Sequence, residues 1–321
     1  MLLMPRSAAR PAPANGSPRP AAGRAATSAV AKELVHLSYD EYVLIKGCTR
    51  VDDSTFLLTA QWPAGTGRAV PGCGTRFESL IMAQTIRQGG LMLAHSVFGA
   101  PADHQTLLRT FDFTVDPQAQ LAPGKPDHLF ILVSCKPVNP HPKRRLTRLR
   151  LEMDIRSGDT SIGTGATDFE WIAPAVYRRI RGSHEQAVHE QPPLPAPVPA
   201  PRVGRSKDSE VVLAASAEPR RWQLRSDFSN TFLYDHAVDH VPGLVLIEAA
   251  HQAACLVTSP GVFLPRSVTT TFDRYVEFDS PCWIEAEVRA EGGDTTVTVT
   301  GHQGGLRVFR TDLTGRRHRA V

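Results

Sequence analysis

The chain has 321 residues, 41% of them hydrophobic and 21% charged, which suffices for ordinary buried cores and makes two domains the natural expectation. No apolar run is long enough to cross a bilayer, so we expect no membrane partner. The formal net charge is +4, but residues 1–32 hold five basic residues and no acidic one, which leaves −1 for the rest. A DNA-binding domain is basic in its folded part, so we also expect no nucleic-acid partner.

Residues 1–32 are rich in alanine, proline, arginine and glycine. Such a segment cannot bury enough apolar surface to order itself, so we predict a disordered tail. The five cysteines include no CxxC pair and leave an odd one over, and no secretory signal is visible. We therefore expect reduced thiols and a cytoplasmic protein.

We assign residues 33–182 to a first folded block that carries four structural signals. Residues 56–62 predict a strand, and residues 79–95 predict an apolar helix. The continuous apolar run 129–135 predicts a buried strand. In residues 148–155 apolar side chains alternate with charged ones, which is typical of a strand with one wet face.

The clearest boundary is the segment 183–209, which contains PPLPAPVPAPR. We predict an extended, polyproline-like linker there. A second block, residues 210–321, then repeats the plan of the first. Alternation and flanking glycine-rich turns predict four strands in this block, at residues 222–225, 284–291, 295–300 and 306–313.

The most informative stretch is residues 232–257, FLYDHAVDHVPGLVLIEAAHQAACLV. After its polar opening, Pro242-Gly243 predict the entrance of a helix, because proline suits the first turn. The residues that follow are apolar on nearly every side, as in a buried helix. The polar opening holds two aspartate–histidine pairs, Asp235-His236 and Asp239-His240.

Glu248 and His251 stand at i and i+3 on one face of this apolar helix. A buried carboxylate is costly without a partner, so the two residues indicate either a site or a satisfied structural contact. The helix of the first block carries Gln84 and Arg87 at the same spacing. Two apolar helices with polar groups at matching places indicate a duplicated unit.

One long helix followed by several antiparallel strands, twice over, predicts an α+β protein. The motif DHVPGLVLIEAAHQAA at 239–254, followed by FDRYVEFDSPCW at 272–283, closely resembles the A-factor synthase family. The first-half motifs IRQGGLMLAH at 86–95 and VYRRIRG at 176–182 resemble it more loosely. The resemblance implies a tandem hotdog, in which two antiparallel sheets are each wrapped round a long apolar helix.

The resemblance also implies an acyltransferase of γ-butyrolactone signal biosynthesis. Such an enzyme moves a β-ketoacyl group from an acyl-carrier-protein thioester to the hydroxyl of dihydroxyacetone phosphate. The reaction needs a base for the hydroxyl proton, a donor that polarises the thioester carbonyl, and cations that hold the phosphate. We expect Glu248 to be the base, with its pKa raised by desolvation. Arg87 is expected to bind the phosphate or to stabilise the oxyanion.

The family tends to have Glu-x-x-Arg-Gln on both helices, and each half of this chain departs from that pattern once. The first half has Gln84 in place of glutamate, and the second has His251 in place of arginine. Because glutamine cannot act as a base, Glu248 can transfer a proton and its counterpart Gln84 cannot. We count Gln84, Arg87, Glu248 and His251 as candidate catalytic residues.

Four further residues are candidates for binding substrate. Arg178 and Arg181 have guanidinium forks that suit phosphate oxygens, although a cluster that merely pins the linker explains them equally well. Asp239 and His240 directly precede the helix entrance. All four are expected to face the substrate.

Two other classes of protein stay open at this stage. One is a hotdog dehydratase or thioesterase, and the other is a lactone-binding regulator without catalysis. We expect no cofactor and no metal, because the chain lacks a nucleotide-binding loop and its aspartate–histidine pairs lack a supporting metal pattern. Hotdog units usually pair through their sheets, so a homodimer is a further possibility.

Overall fold

The computed structural model contains two helix-and-sheet halves. It describes residues 30–64, 67–70, 74–77, 79–116, 119, 126–140, 145–189, 193–291 and 293–318. Most of the predicted tail, residues 1–29, lies outside the described residues. The boundaries proposed for the two blocks and the linker stay a prediction.

Twelve of the fourteen described strands form one antiparallel sheet, in the order β1-β2-β6-β7-β8-β5-β11-β14-β13-β12-β10-β9. The remaining two, β3 and β4, pair with each other. The strands are β1 (Ile45–Arg50), β2 (Thr55–Trp62), β3 (Gly67–Val70), β4 (Gly74–Phe77), β5 (Gln105–Val115), β6 (Asp127–Pro137), β7 (Arg148–Ser157), β8 (Thr160–Ile172), β9 (Leu213–Ala215), β10 (Arg221–Leu224), β11 (Val262–Phe272), β12 (Cys282–Glu291), β13 (Asp294–Gln303) and β14 (Leu306–His318).

The sheet order shows the duplication that the helices suggested. Read outward from the centre, the two halves follow the same course, β5-β8-β7-β6-β2-β1 and β11-β14-β13-β12-β10-β9. At the centre β5 pairs with β11, with Phe113 opposite Val268. The two expected sheets are therefore joined edge to edge into one. The edge strands β5 and β11 pair with each other, so neither is left as an open edge at the centre.

Three α-helices accompany the sheet. They are α1 (Ser79–Ser96), α2 (Pro174–Arg181) and α3 (Gly243–Thr258). The predicted helices α1 and α3 are buried on nearly all sides, as their apolar sequences indicated. Close packing of α1 on the sheet needs Gly165 of β8, since a Cβ there would lie 2.7 Å from Ile86 Cδ1. None of the described helices is long and apolar enough to span a membrane.

Each long helix holds the segment before its own sheet with one buried glutamine. Gln88 of α1 accepts a hydrogen bond from Leu44 N (2.7 Å) and donates one to Tyr42 O (2.7 Å). Gln252 of α3 accepts from the N–H of Val212 (3.0 Å) and donates to the carbonyl of Glu210 (2.9 Å). The backbone partners in the second half lie 168 residues after those in the first.

The same offset relates two short 3-10 turns that contact the long helices. Lys32–Val35 lies against α1 and Ala200–Val203 lies against α3. Both turns end in a residue in the left-handed region, His36 in the first half and Gly204 in the second. The offset therefore makes Arg205 the counterpart of Leu37.

Two expectations about local structure are wrong. Residues 129–135 form a strand with alternating burial, in which Phe130 and Leu132 are exposed, so the apolar run does not indicate a doubly buried strand. The extended linker is not seen at its C-terminal end, where Val198 and Val203 are buried and Pro197 bridges to Ala214. Proline fixes the backbone there, while the small apolar side chains between the prolines pack against the second half.

Candidate active site

A cavity of about 1040 Å³ lies between α1 of the first half and the loop that precedes α3 of the second half. One part of its wall is apolar and includes Leu91, Leu107, Phe111, Phe169 and Leu246. The other part is polar and includes His36, Gln84, Arg87, Asp235, His236, Asp239 and His240. A site with an apolar wall and a few converging polar groups suits a molecule that has an apolar chain and a polar head.

The helix α1 contributes two polar side chains to the cavity. Arg87 donates a hydrogen bond to the Val35 carbonyl (3.3 Å) and makes no ion pair within 4 Å with a described carboxylate. Burial lowers the pKa of Arg87 from its ordinary value, and the nearby charge of Asp235 partly opposes this. The Oε1 atom of Gln84 is buried without a hydrogen-bond partner among the described residues. Both groups are therefore available to a ligand.

The loop before α3 contributes an aspartate–histidine dyad. His240 Nδ1 lies 2.6 Å from Asp239 Oδ1, and since an ionised carboxylate only accepts, Nδ1 carries the proton. Nε2 of the neutral ring is then an unprotonated base. Burial alone would raise the pKa of Asp239, but hydrogen bonds from His240 and Tyr177 hold it well below its usual range.

The dyad is fixed from the first half of the chain. Tyr177 OH donates to both carboxylate oxygens of Asp239 at 2.7 Å, and Arg181 Nε donates to Oδ2 at 3.0 Å. The other nitrogens of Arg181 bind Glu277 at 2.5 and 2.6 Å. Burial raises the pKa of Tyr177 above its ordinary value, and its hydrogen bond to Asp239 raises it further. A histidine whose partner carboxylate is held this firmly is oriented for proton transfer.

A second, more exposed dyad lies beside Arg87. His236 Nδ1 is 2.6 Å from Asp235 Oδ1, and Asp235 Oδ2 accepts a hydrogen bond from Ser38 N at 2.8 Å. The His236 side chain is 40% exposed, against 25% for His240. The two pairs seen in the sequence thus face the same cavity, and the Asp239-His240 dyad is the more buried of them.

Glu248, the expected base, is not among the residues that line the cavity. Arg205 donates to its two oxygens, with Nε to Oε1 at 2.8 Å and NH2 to Oε2 at 2.7 Å, and Gln252 Nε2 donates to Oε1 at 2.6 Å. Burial alone would raise the pKa of Glu248, but the charge and hydrogen bonds of Arg205 outweigh it and lower the pKa. The expectation of a raised pKa is therefore wrong, because a buried carboxylate with a bidentate arginine stays ionised.

His251 also lies away from the cavity wall. Its Nδ1 is 3.9 Å from Glu248 Oε2, and its Nε2 is 3.9 Å from Cys255 Sγ. Glu248 of α3 is thus paired with Arg205, whereas Gln84 and Arg87 of α1 face the cavity. Among the described residues, no group of three or more histidine, cysteine, aspartate or glutamate side chains could hold a metal ion.

Arg178 and Arg181 lie on different sides of α2. Arg178 is exposed and is not part of the cavity wall. Arg181 lines the cavity, but its fork is occupied by Asp239 and Glu277 and its side chain is 2% exposed. The expectation that Arg181 offers its fork to a phosphate is therefore wrong. The i, i+4 spacing of Tyr177 and Arg181 was the available signal that both face inward.

A single sheet with two buried helices, and a cavity between one helix and the loop of the other half, define a double hotdog protein. Similarity to solved structures agrees with this fold. A 12:0-ACP thioesterase from Umbellularia californica has a TM-score of 0.53 at 14% identity over 84% of this chain and 100% of that chain. A putative oleoyl thioesterase from Lactobacillus plantarum has a TM-score of 0.51 at 11% identity over 82% and 97%. At these identities the likeness concerns the fold alone.

The sequence matches the A-factor biosynthesis hotdog domain over residues 20–173 and 186–317. It is 40% identical over 287 residues to a 2-oxo-3-(phosphooxy)propyl 3-oxoalkanoate synthase of Streptomyces virginiae, covering 88% of this chain and 96% of the relative. Its identity to a protein of the same name from Streptomyces coelicolor is 39%, covering 81% and 83%. The chain belongs to the A-factor biosynthesis hotdog family.

Proposed function

We propose that this protein transfers a 3-oxoacyl group from a thioester to the free hydroxyl of dihydroxyacetone phosphate. The product is the ester that the relatives' name describes, a 2-oxo-3-(phosphooxy)propyl 3-oxoalkanoate. The observation that carries the proposal is the cavity. It joins an apolar wall to Arg87, which pairs with no described carboxylate, and to the Asp239-His240 dyad that Tyr177 and Arg181 hold in place. This combination suits an acyl chain, a phosphate and a hydroxyl that must lose its proton.

In this proposal the base is His240 and not Glu248. His240 Nε2 takes the proton of the acceptor's hydroxyl while the oxygen attacks the thioester carbonyl. A new C–O bond forms, the C–S bond breaks, and the proton passes to the leaving thiolate. Asp239 stabilises the imidazolium during the reaction, and Tyr177 and Arg181 hold Asp239 in place.

Arg87 binds the phosphate of the acceptor. It lines the cavity, no described carboxylate pairs with its fork, and a guanidinium suits bidentate contact with phosphate oxygens. Gln84 lies one helical turn away and lines the same cavity, and its buried Oε1 has no hydrogen-bond partner among the described residues. The acyl chain lies along the apolar wall.

The donor is proposed to be the thioester of an acyl carrier protein, and the site of action the cytoplasm. Both follow from the family resemblance and from the cysteine pattern. A homodimer stays a prediction. The sheet pairing usual between two hotdog units is already made within one chain, where β5 of the first half pairs with β11 of the second.

The test is to incubate the protein with a 3-oxoacyl carrier-protein thioester, with and without dihydroxyacetone phosphate, and to follow the products by mass spectrometry. We expect the phosphorylated ester to form only when both substrates are present. Release of the free acid without the acceptor would support a thioesterase. Dehydration of a 3-hydroxyacyl thioester would support a dehydratase, and tight lactone binding without turnover would support a regulator.

A further inference from the structure

The cavity wall around His36 has an excess of groups that can carry positive charge. His36 and Arg87 line it together with His236, and His95 is hydrogen-bonded to His36 from behind. Asp235 is the carboxylate whose charge acts on His36. Three imidazoles and a guanidinium beside one carboxylate favour an anion of more than one charge.

Hydrogen bonds fix where the protons of the imidazoles of His36 and His95 lie. His95 Nδ1 is 2.8 Å from the Ala100 carbonyl, which can only accept, so this nitrogen carries a proton. In the tautomer with this proton, His95 Nε2 carries a lone pair and can only accept. His95 Nε2 lies 2.7 Å from His36 Nε2. His36 therefore donates through Nε2, and its Nδ1 is left without a proton.

The backbone at His36 is a second and independent sign of function. His36 has φ of 53°, in the left-handed region that favours glycine, and it closes the turn Lys32–Val35. The counterpart in the second half is Gly204, with φ of 72°. A histidine at a position where the duplicate has glycine carries backbone strain, and such strain clusters at functional sites.

We propose that His36 is a second ligand of the acceptor's phosphate, and that it takes up a proton at Nδ1 when the phosphate binds. This inference rests on the proposed function, because the phosphorylated acceptor is the anion in question. Proton uptake converts His36 into a donor toward a phosphate oxygen through Nδ1. Its Nε2 still donates to His95, so no other proton has to move.

The charges around His36 explain why the proton is taken up only when the phosphate binds. Burial lowers the pKa of His36 to about 4, and the nearby charge of Arg87 adds to the effect, against Asp235. His36 is therefore neutral near neutral pH. A bound phosphate adds a charge of about −1.5 to −2, which reverses the sign of the local field and raises this pKa.

Isothermal titration calorimetry in phosphate-free buffers of different ionisation enthalpy measures the proton uptake. We expect about one proton to be taken up per bound dihydroxyacetone phosphate, and none with unphosphorylated dihydroxyacetone. His36→Asn should abolish the uptake and raise KM for the phosphorylated acceptor about tenfold, with KM for the thioester unchanged. Asparagine tolerates the left-handed region, so this variant is expected to fold.

His104→Asn is the matched control, because His104 lines the same cavity but pairs with Asp103. It should leave the uptake unchanged. Equal uptake in the wild type and His36→Asn, or no uptake in the wild type, would overturn the inference even if the ester is formed. Uptake that depends on His36 without any ester formation would instead refute the proposed function. Should His36→Asn fail to fold, His36→Gln and the comparison of the two acceptors in the wild type decide the matter.

Discussion

The two halves of the molecule use one structural plan, but they treat the polar groups on their central helices differently. In both halves a glutamine, Gln88 or Gln252, ties the helix to the segment before its own sheet. One turn earlier the first half has Gln84 and the second has Glu248. A second difference accompanies this one. After the 3-10 turn the first half has Leu37, whereas the second half has Arg205, which binds Glu248.

The difference shows how one sequence pattern can serve two purposes. A buried amide can be left beside a cavity, whereas a buried carboxylate needs a cation, and Arg205 supplies one. The acid of α3 is thereby closed off within its own half, while Gln84 and Arg87 remain open to the cavity. A carboxylate on a buried helix therefore does not by itself indicate catalysis. The cation that neutralises it must first be identified.

The largest expected effect is on turnover and comes from His240. His240→Asn keeps a donor toward Asp239 but removes the base, so kcat should fall about 10²- to 10⁴-fold. Glu248→Gln should lower kcat far less, because Glu248 lies outside the cavity wall. Steady-state kinetics at saturating thioester and acceptor measure both variants.

The matched control for His240 is His236→Asn, which alters the equivalent dyad at a more exposed position. Its effect on kcat should be within about tenfold. A loss with Glu248→Gln as large as that with His240→Asn, in a protein with unchanged melting temperature, would return the role of base to Glu248. It would also remove the functional contrast between the two halves.

The next effect is on stability and tests why Glu248 and Arg205 occur together. Arg205→Leu leaves a buried carboxylate without its cation and should lower the free energy of unfolding by about 3–5 kcal/mol. The double variant Arg205→Leu/Glu248→Gln reproduces the Leu37 and Gln84 pair of the first half and should recover most of this loss. Urea unfolding of the wild type, both single variants and the double variant gives the coupling energy. Additive losses would show that the ion pair does not explain the difference between the halves.

A smaller effect is expected on acceptor binding through Arg87. Arg87→Lys keeps the charge but loses the fork, so KM for dihydroxyacetone phosphate should rise about tenfold while kcat changes little. The corresponding change in the second half, His251→Lys, should leave that KM unchanged, because His251 does not line the cavity. An unchanged KM in Arg87→Lys would place the phosphate elsewhere.

The sequence predicts the parts of this molecule whose signals are local. The apolar runs gave α1 and α3, and the alternation of residues 148–155 gave β7, because burial on one face leaves a period in the sequence. The strands β5 and β11 were not predicted, since few of their residues are buried and each pairs with a strand of the other half. The Asp239-His240 pair could also be seen in the sequence, because its two residues are adjacent.

The contacts that assign roles to these residues are long-range and could not be predicted. Arg205 lies 43 residues before Glu248, in a segment interpreted as a linker. Tyr177 and Arg181 reach Asp239 across 62 and 58 residues. No periodicity records such pairings, so the sequence alone could not show that Glu248 lies outside the cavity wall while Asp239 and His240 line it.

The smallest expected effect concerns pH and compares His36 with a residue that cannot titrate. An unfolded chain gives histidine a pKa of about 6.5, whereas burial lowers the pKa of His36 to about 4 in the folded protein. Between these values the unfolded state binds more protons. The wild type should therefore lose stability relative to His36→Asn as the pH falls through this window, by at most about 1.4 kcal/mol per pH unit.

Urea unfolding of the two proteins from about pH 7.5 to about pH 4.5, in buffers without phosphate, gives this difference. Carboxylates of the folded protein also titrate at the acidic end, but they are present in both proteins and cancel in the comparison. His104→Asn is again the control and should follow the wild type. Parallel stability curves for the wild type and His36→Asn would show that the folded protein does not suppress the charge of His36. In that case burial would not keep His36 neutral, and the electrostatic argument for its proton uptake would fail.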